Sequence, residues 1–544
     1  MTVQELATKA QNGDAASQFQ LAMCFYNGTA VAKDNEKAVY WWTKAAQQGI
    51  QEAQNNLGYA YKHGVGVPQD FQKSAYWYAQ AAEQGYTAAQ FEIGYAYYSG
   101  KGVAQDFTKA AQFFTEAANK GYAKAQFNLG ICYERGQGVE KDLFQAACWW
   151  GQAASRGQGE AFYPLGYLYS HGIAVGKDPQ TAFYWYQKAG DFGDKRAWEA
   201  LGTYYYKGLA GQKNEEKAFQ YFKKAADAGM PVSMAATGCC YHYGLGVAED
   251  PDQAFLYYQK GAELGNVPAK ARLGQCYKEG IGVAQDDKTA AYWFYQAAEQ
   301  GNAEGCLHFG NACLKGEGVP QDEGEAAYWL YQAAQKGKAE AQSTLAMLYD
   351  LGVGVEKNQE SALFWWQKGA EGGDKYACYI YAYRNFYGQG IPRNYELAAK
   401  YFLLAAKQGI PEAQCMIGYM FYEGLGTSKN IPLAKAWLQK AKENGNADAS
   451  NMLQQIAKAE ADARRRQQAD AELKSILERF RKQEEKTREL LRRRRREIER
   501  YNRQIDEYND FVDKYNKTMS GVNDTINRMN SRRGREKDYW HGWL

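Results

Sequence analysis

Proline is scarce in this 544-residue sequence, which contains only 10, and long apolar runs are lacking as well. With so little proline, the chain is neither collagen-like nor a proline-rich disordered polymer. No stretch approaches the roughly 18 consecutive apolar residues of a membrane-spanning helix, so the sequence predicts no transmembrane segment. The first ten residues lack the basic and apolar regions of a secretory signal, which favours a cytoplasmic location.

A strong net charge is lacking too, since the whole chain has a formal charge of only +3. This balance conceals an asymmetry. Residues 455–544 contain 24 Lys and Arg against 17 Asp and Glu, whereas the residues before them contain 41 basic and 45 acidic side chains. The basic C-terminal segment is therefore a different kind of sequence from the rest.

Motifs that carry metal or phosphate chemistry do not occur. The five histidines are scattered, and neither His-Glu-x-x-His nor Cys-x-x-Cys is present to close a metal site. The sequence also has no Gly-x-x-x-x-Gly-Lys-Ser/Thr loop to hold a phosphate. We therefore expect no metal, no cofactor and no enzymatic activity.

Glycine, by contrast, is abundant and strictly periodic. One series of glycines recurs every 36 residues from Gly13 to Gly445, and a second series runs from Gly28 to Gly424 at the same spacing, without insertion or deletion. Such a fixed period of 36 residues indicates twelve copies of one structural unit. The first series consists of Gly13, Gly49, Gly85, Gly121, Gly157, Gly193, Gly229, Gly265, Gly301, Gly337, Gly373, Gly409 and Gly445.

Each repeat is predicted to be a helical hairpin. Apolar residues recur at helical spacing in both halves of the repeat, for example Ala53, Leu57 and Tyr61 in the first half of the second copy. Both glycine series suit the left-handed conformation that ends a helix. The loop between the helices ends in Asp or Asn in all twelve copies, as at Asp70, where the side chain would cap the second helix.

Stacking of these hairpins would bury apolar side chains that a single repeat leaves exposed. Small residues recur at the positions of Ala53 and Gly58, where two helices must approach closely. The predicted fold is therefore an all-α solenoid. Large rings at one shared position are expected to fill the groove between repeats: Trp41, Trp77, Trp149, Trp185, Trp293, Trp329, Trp365 and Trp437.

The pattern Ala-x-x-x-Leu-Gly-x-x-Tyr-x-x-Gly-x-Gly-Val-x-x-Asp-x-x-Lys-Ala-x-x-Trp-x-x-x-Ala-Ala-x-x-Gly resembles the Sel-one-like repeat family, which is related to the tetratricopeptide repeats. The resemblance covers residues 14–445, with local departures at Gly211, Cys313, Asn385 and Thr427. It implies a right-handed superhelix of antiparallel helix pairs that serves as a scaffold or adaptor. Some relatives are catalogued as β-lactamases, but neither Ser-x-x-Lys nor Lys-Thr-Gly occurs here, so a hydrolase is the less favoured alternative.

Ten cysteines raise the question of disulfides, because some secreted members of the resembled family have one in each repeat. Cysteines at one shared helix position, such as Cys240 and Cys276, are at least one repeat apart. Packed helices lie 8–10 Å apart, beyond the roughly 7 Å limit for a bridge. Only the fourth repeat has a cysteine in each helix, Cys132 and Cys148. We therefore predict free, mostly buried thiols in a reducing compartment.

The C-terminal segment has a second period, of seven residues. The predicted organisation is a solenoid over 1–457 with half-repeat caps, a charged helical connector over 458–472, a coiled coil over 473–530 and a basic, aromatic tail over 531–544. The apolar stripe of this helix needs a partner surface. A second copy of the chain is favoured over a heterologous coil or the chain's own solenoid. The residues predicted to self-associate are Leu491, Ile498, Tyr501, Ile505, Tyr508, Val512 and Tyr515.

The same segment contains a run of five arginines: Arg492, Arg493, Arg494, Arg495 and Arg496. Such a run could neutralise phosphates of nucleic acid or anionic lipid. Acidic residues alternate with the basic ones, however, which favours a solvated helix face over an anionic partner. Near the chain end, Trp540 and Trp543 are interpreted as a docking peptide rather than as core.

A candidate binding surface is indicated by variation among the repeats themselves. The positions of Gln20, Met23 and Asn27 change from copy to copy, whereas those of Leu21 and Ala22 hardly change. At 100° per residue the variable set lies on the opposite side of the helix from the constant set. Tyrosines on this face suit contacts with an unidentified protein or peptide, although plain solvent exposure is the alternative. They are Tyr59, Tyr95, Tyr167, Tyr383 and Tyr419.

Overall fold

The computed structural model describes residues 2–493 and 498–537, and within these ranges the chain is helical with no strand. One 3-10 turn, Gly159–Ala161, precedes the tenth α-helix. The α-helices are, in chain order, α1 Val3–Gln11, α2 Ala15–Asn27, α3 Asn35–Gln47, α4 Gln51–His63, α5 Phe71–Glu83, α6 Thr87–Ser99, α7 Phe107–Asn119, α8 Ala123–Arg135, α9 Leu143–Ser155, α10 Phe162–His171, α11 Pro179–Phe192, α12 Lys195–Lys207, α13 Glu215–Asp227, α14 Pro231–Tyr243, α15 Pro251–Glu263, α16 Val267–Glu279, α17 Asp287–Ala298, α18 Ala303–Lys315, α19 Glu323–Gln335, α20 Ala339–Leu351, α21 Gln359–Glu371, α22 Lys375–Tyr387, α23 Tyr395–Lys407, α24 Pro411–Glu423, α25 Ile431–Glu443, α26 Ala447–Arg493 and α27 Ile498–Lys537.

Each repeat contains a first, or A, helix with an even number from α2 to α24 and a second, or B, helix with an odd number from α3 to α25. Gly64 ends α4 in the left-handed conformation, with φ of 69°, and the Asp70 carboxylate accepts a 3.0 Å hydrogen bond from the Lys73 N–H at the start of α5. That hydrogen bond lowers the pKa of Asp70. Both predicted helix boundaries are confirmed. Side-chain caps also begin the other B helices at Asp34, Asp106, Asp142, Asp178, Asn214, Asp250, Asp286, Asp322, Asn358, Asn394 and Asn430.

Within a repeat, a large ring of the B helix packs on a small residue of the A helix. A Cβ atom added to Gly58 would lie 2.7 Å from the Tyr78 ring, and one added to Gly130 would lie 2.4 Å from Trp150 Nε1. The buried ring thus stands one residue after the tryptophan position singled out from the sequence. Those tryptophans are mostly half-buried, and Trp329, for example, lies between neighbouring repeats, where it contacts Tyr295 of the preceding B helix with 6.0 Å between ring centroids.

Neighbouring repeats are joined by a buried side-chain donor near the start of the A helix. Gln54 Nε2 donates to the carbonyl oxygen of Ala46 in the preceding B helix, at 3.1 Å. The equivalent donor is indole in the sixth repeat, where Trp198 Nε1 bonds Gly190 O at 2.9 Å. In the ninth repeat the donor is the thiol of Cys306. Several residue types thus supply the same hydrogen bond, whereas the fifth and seventh repeats have Phe162 and Met234 at this position.

A further glycine of the loop allows close approach of neighbouring repeats. Gly102 has φ of 81°, and a Cβ atom there would lie only 2.0 Å from the carbonyl oxygen of Phe71 at the start of the preceding B helix. Both the backbone conformation and the lack of space therefore require glycine.

The 3-10 turn at the start of the fifth A helix has a local cause. Pro164 has no N–H to donate to the carbonyl of Glu160.

The chain comprises two compact units, Met1–Tyr381 and Ala382–Leu544. In the first, α1 packs on α2 as a lone B helix, with Leu6 and Ala10 buried. In the second, α26 begins as a lone A helix against α25, with Ile456 buried. Among the residues that the structure describes, no helix is both long and apolar enough to cross a lipid bilayer.

The C-terminal region of the second unit contains the predicted long helix, α26, which runs for 47 residues. The predicted apolar stripe, however, is divided between two helices, α26 and α27. The Phe480 ring centroid lies 4.8 Å from that of Phe511 and 5.7 Å from that of Tyr515. Phe480 lies 13 residues before the end of α26 and Phe511 lies 13 residues after the start of α27. The two helices therefore fold back on each other as an antiparallel hairpin.

Candidate partner-binding surface

The variable side of the A helices, the side of Gln20, Met23 and Asn27 in the first repeat, is here called the A face, and in the first unit it includes three exposed tyrosines. Tyr59, Tyr95 and Tyr167 expose 41%, 40% and 42% of their surface, whereas Leu21 and Ala22, on the constant side, are buried. These tyrosine rings lie on the helix surface and are not buried in the hydrophobic core. The predicted separation of a variable, exposed side from a constant, buried side therefore holds for these residues.

Side chains of adjacent repeats connect two of these tyrosines. Lys62 Nζ lies 2.5 Å from a carboxylate oxygen of Glu92 in the next repeat, and 5.9 Å from the centroid of the Tyr95 ring. Because Lys62 and Tyr59 belong to the same helix, the A faces of the second and third repeats form one continuous surface. It combines two exposed phenol rings with a paired cation and anion.

Two histidines support tyrosines on this face. His63 lies against Tyr59 with ring centroids 4.4 Å apart, and His171 stacks on Tyr167 at 4.1 Å. The Nδ1 atom of His171 is also 2.9 Å from the Tyr167 carbonyl oxygen. Each histidine therefore packs against the ring of the neighbouring tyrosine. In the described part of the chain, no group of three or more His, Cys, Asp or Glu side chains is placed to hold a metal ion.

Tyr383 and Tyr419 belong to the second unit, so the structure divides the five predicted tyrosines between two bodies. Both are half-buried rather than exposed. The Tyr383 ring lies 4.5 Å from that of Tyr387, and Tyr419 lies 6.3 Å from Phe386. Burial also raises the pKa of Tyr419. These two rings take part in a local aromatic cluster and offer less free surface than the first three.

A polar network on the A face of the seventh to tenth repeats was not found by sequence reasoning. Arg272 Nη1 donates to Gln275 Oε1 at 2.9 Å and approaches the Tyr243 hydroxyl at 3.4 Å. In the next repeat, Glu304 pairs with Lys338 and lies 3.8 Å from His308. Burial lowers the pKa of His308, an effect that Glu304 opposes. The residues vary in type between copies, so no repeated motif marks them.

All ten cysteines are unpaired, and seven of them are buried. In the fourth repeat Cys132 is buried, which raises the pKa of its thiol to about 11, whereas Cys148 is exposed. A thiol with such a pKa is almost fully protonated at neutral pH and is a poor nucleophile. The seven buried cysteines therefore act as small core residues.

Several C-terminal predictions lie partly or wholly outside the described residues. Tyr508, Val512 and Tyr515 are half-buried on α27. Nothing is described for Arg494, Arg495, Arg496, Trp540 or Trp543. The helices α26 and α27 include Leu491, Arg492, Arg493, Ile498, Tyr501 and Ile505, whose side chains are not described.

Stacked helical hairpins with glycine-terminated helices and a variable exposed face define an α-solenoid repeat protein. Within that class, the Sel1 repeat model matches twelve consecutive segments, and the chain belongs to the Sel1 repeat family. The matched segments are residues 15–50, 51–86, 87–122, 123–158, 161–194, 199–230, 231–266, 267–302, 303–338, 339–374, 375–410 and 411–446.

Solved structures of other proteins are similar to this chain. The chain is similar to c5321, a protective antigen of uropathogenic Escherichia coli strains with an SLR fold, at 30% identity and a TM-score of 0.69, covering 84% of this chain and 97% of that one. It is also similar to a Sel1 repeat protein from Oxalobacter formigenes, at 25% identity and a TM-score of 0.42, over 63% and 89% of the two chains. Comparison with curated protein sequences gives no significant match.

Proposed function

We propose that this protein is a cytoplasmic, non-catalytic scaffold that binds a protein or peptide along its A face. The observation that carries the proposal is the exposure of Tyr59, Tyr95 and Tyr167 at one position of the repeat. Tyrosine is enriched at energetically important positions of protein interfaces, because its ring gives a large contact area and its hydroxyl a hydrogen bond. The adjoining Lys62–Glu92 pair adds polar groups beside the rings.

Affinity capture with the full-length chain tests this surface. The triple variant Tyr59→Ala, Tyr95→Ala and Tyr167→Ala should lose a partner that the wild type retains, with little change in melting temperature. A matched control replaces three exposed tyrosines of the B helices, Tyr40, Tyr76 and Tyr184. Capture that survives the A-face substitutions, or that falls equally in the control, would rule out the A face.

We further propose that the C-terminal hairpin joins two copies of the chain. Although α26 covers part of the α27 stripe, Phe511, Ile526 and Met529 remain exposed by 43%, 39% and 51%. The antiparallel register that places Phe480 against Phe511 carries Ile526 and Met529 toward residues 462–469, a polar stretch with three arginines. The end of α27 that contains Ile526 and Met529 thus has no apolar partner among the described residues of its own hairpin. Burial of these side chains favours association with another hairpin.

Light scattering on the full chain provides the test. Truncation at residue 470 should convert a dimer or larger oligomer into a folded monomer. Substitutions Ile526→Asp and Met529→Asp should do the same without loss of helix, whereas Lys517→Asp, at an exposed position of α27, should not. A wild-type chain that is monomeric at micromolar concentration would contradict self-association and favour a heterologous coil.

A further inference from the structure

A second aromatic surface lies on the B helices of the eighth, ninth and tenth repeats. We call it the B-face strip and define it by Tyr292, Tyr295, Tyr328, Tyr331 and Phe364. Tyr292, Tyr328 and Phe364 occupy one repeat position and expose 55%, 56% and 51% of their surface. Tyr295 and Tyr331 lie one helical turn further along the same helices. These rings are on different helices from the tyrosines of the A face.

The rings of the strip are continuous from repeat to repeat. Tyr295 contacts Trp329 of the next repeat edge to face, with centroids 6.0 Å apart, and Trp329 contacts Tyr328 at 5.0 Å. The arrangement recurs one repeat later, where Tyr331 contacts Trp365 at 5.9 Å and Trp365 contacts Phe364 at 4.9 Å. Edge-to-face packing of this kind holds the rings in fixed orientations. The strip is therefore a firm surface that crosses three repeats.

Carboxylates are held beside these rings. The Tyr295 hydroxyl donates to Glu299 Oε1 at 2.6 Å, and Trp329 Nε1 donates to Glu325 Oε1 at 3.3 Å. Glu360 adds an exposed carboxylate at the start of α21. A guanidinium group can stack on an aromatic face while its N–H groups bond a carboxylate. Rings with carboxylates fixed at their edges thus provide both parts of an arginine-binding arrangement.

Other copies of the same repeat position show what the exposed ring accepts. Lys44 Nζ lies 5.8 Å from the Tyr40 ring centroid, and Lys188 Nζ lies 5.8 Å from that of Tyr184. Each lysine is four residues after its tyrosine. In the eighth and ninth repeats that place is taken by Gln296 and Gln332. In the tenth it is taken by Lys368, which is paired with Glu371 at 2.8 Å. Over the part of the chain that the structure describes, no lysine or arginine lies over Tyr292 or Tyr328.

We infer that the B-face strip binds an arginine-rich segment of a partner protein. In the first and fifth repeats, a lysine of the same helix lies over the exposed tyrosine ring. In the eighth and ninth repeats, the exposed ring has a carboxylate nearby but, among the described residues, no lysine over it. An extended arginine-rich segment crossing the three repeats would place guanidinium groups over successive rings. This inference concerns a surface distinct from the A face and does not depend on the proposed function.

Fluorescence anisotropy on the full-length chain tests the inference. The probe is a short fluorescein-labelled peptide of alternating arginine and glycine, and the comparison peptide has glutamate in place of arginine. The wild type should bind only the arginine peptide. The triple variant Tyr292→Ala, Tyr328→Ala and Phe364→Ala should weaken binding by roughly tenfold or more, because it removes three rings on which guanidinium groups would stack. The pair Glu299→Gln and Glu325→Gln should weaken it independently.

Two controls decide the outcome. Tyr40→Ala with Tyr184→Ala removes equivalent rings that the chain's own lysines already cover, and should leave the affinity unchanged. Circular dichroism must show the helix content of each variant to be that of the wild type. If the triple variant fails this check, the glutamine pair carries the test alone. Absence of wild-type binding, or an affinity that the ring and carboxylate substitutions do not change, would overturn the inference.

Discussion

The side chains of Gln54 and Gln84 share a hydrogen bond in which Gln84 Nε2 donates to Gln54 Oε1 at 2.7 Å. Gln54 in turn donates from Nε2 to Ala46 O in the preceding repeat. Gln48 and Gln18 have the same relationship at 2.8 Å. A buried amide that both accepts and donates thus links the end of its own repeat's B helix to the preceding B helix.

Gln54→Ala should destabilise the junction between the first two repeats by about 1–3 kcal/mol, because the substitution leaves buried polar groups without their partner. Long repeat arrays do not unfold in one step, so local hydrogen exchange in α3 and α4 is the better measurement, with melting temperature beside it. Exposed Gln47→Ala serves as the control. Equal exchange rates in Gln54→Ala and wild type would show that the amide bridge is not important for the junction.

Gly130→Ala should destabilise the fourth repeat by about 1–3 kcal/mol, since the new methyl group would overlap the Trp150 indole. Displacement of the indole by this methyl group would also weaken the 3.1 Å hydrogen bond from Trp150 Nε1 to the Phe127 carbonyl. Gly151→Ala is a matched control, because a Cβ atom there meets nothing within 4 Å. Alanine should stabilise that helical position by up to about 1 kcal/mol. Urea titration followed by tryptophan fluorescence compares the two variants, and equal midpoints would contradict the packing argument.

The ten thiols should react with a disulfide reagent in a fixed order. Cys148 is exposed and should react first, followed by the half-buried Cys24 and Cys239, and then by the seven buried thiols only on unfolding. Thiolate is the reactive form, and burial raises the pKa of Cys240 and Cys276 to about 12. The Cys148→Ser variant should lose the fast phase. More than three accessible thiols in the folded chain would contradict the burial of the others.

Stability should fall in alkaline solution. Burial raises the pKa of Cys132 to about 11 and that of Cys240 to about 12, and it also raises the pKa of Tyr78 and Tyr258. In the unfolded chain, thiols and phenols ionise near pH 8.5 and 10. Below those values both states hold their protons, whereas above them the unfolded state loses protons first and is favoured. Melting temperature should therefore decrease from about pH 9 upward, and a constant value to pH 11 would refute this linkage.

The sequence by itself determined the repeat and its ends. A 36-residue glycine period, an Asp or Asn before each B helix and a constant apolar face predict helical hairpins, because capping and helical periodicity are local effects that depend on neighbours within a few residues. For the same reason the half-repeats at both ends and the long helix that follows the last repeat could be predicted. Pro164 would also have predicted the irregular start of the fifth A helix.

Only the tertiary structure decided which side chains meet across repeats. The glutamine, indole and thiol donors at the position of Gln54 look unrelated in sequence, and their common role appears only when the acceptor carbonyl is in place. The fold-back of α27 onto α26 and the continuity of the B-face strip likewise depend on residues about 30 positions apart. Such contacts are set by how rigid helices pack, and the seven-residue and 36-residue periods alone do not specify them.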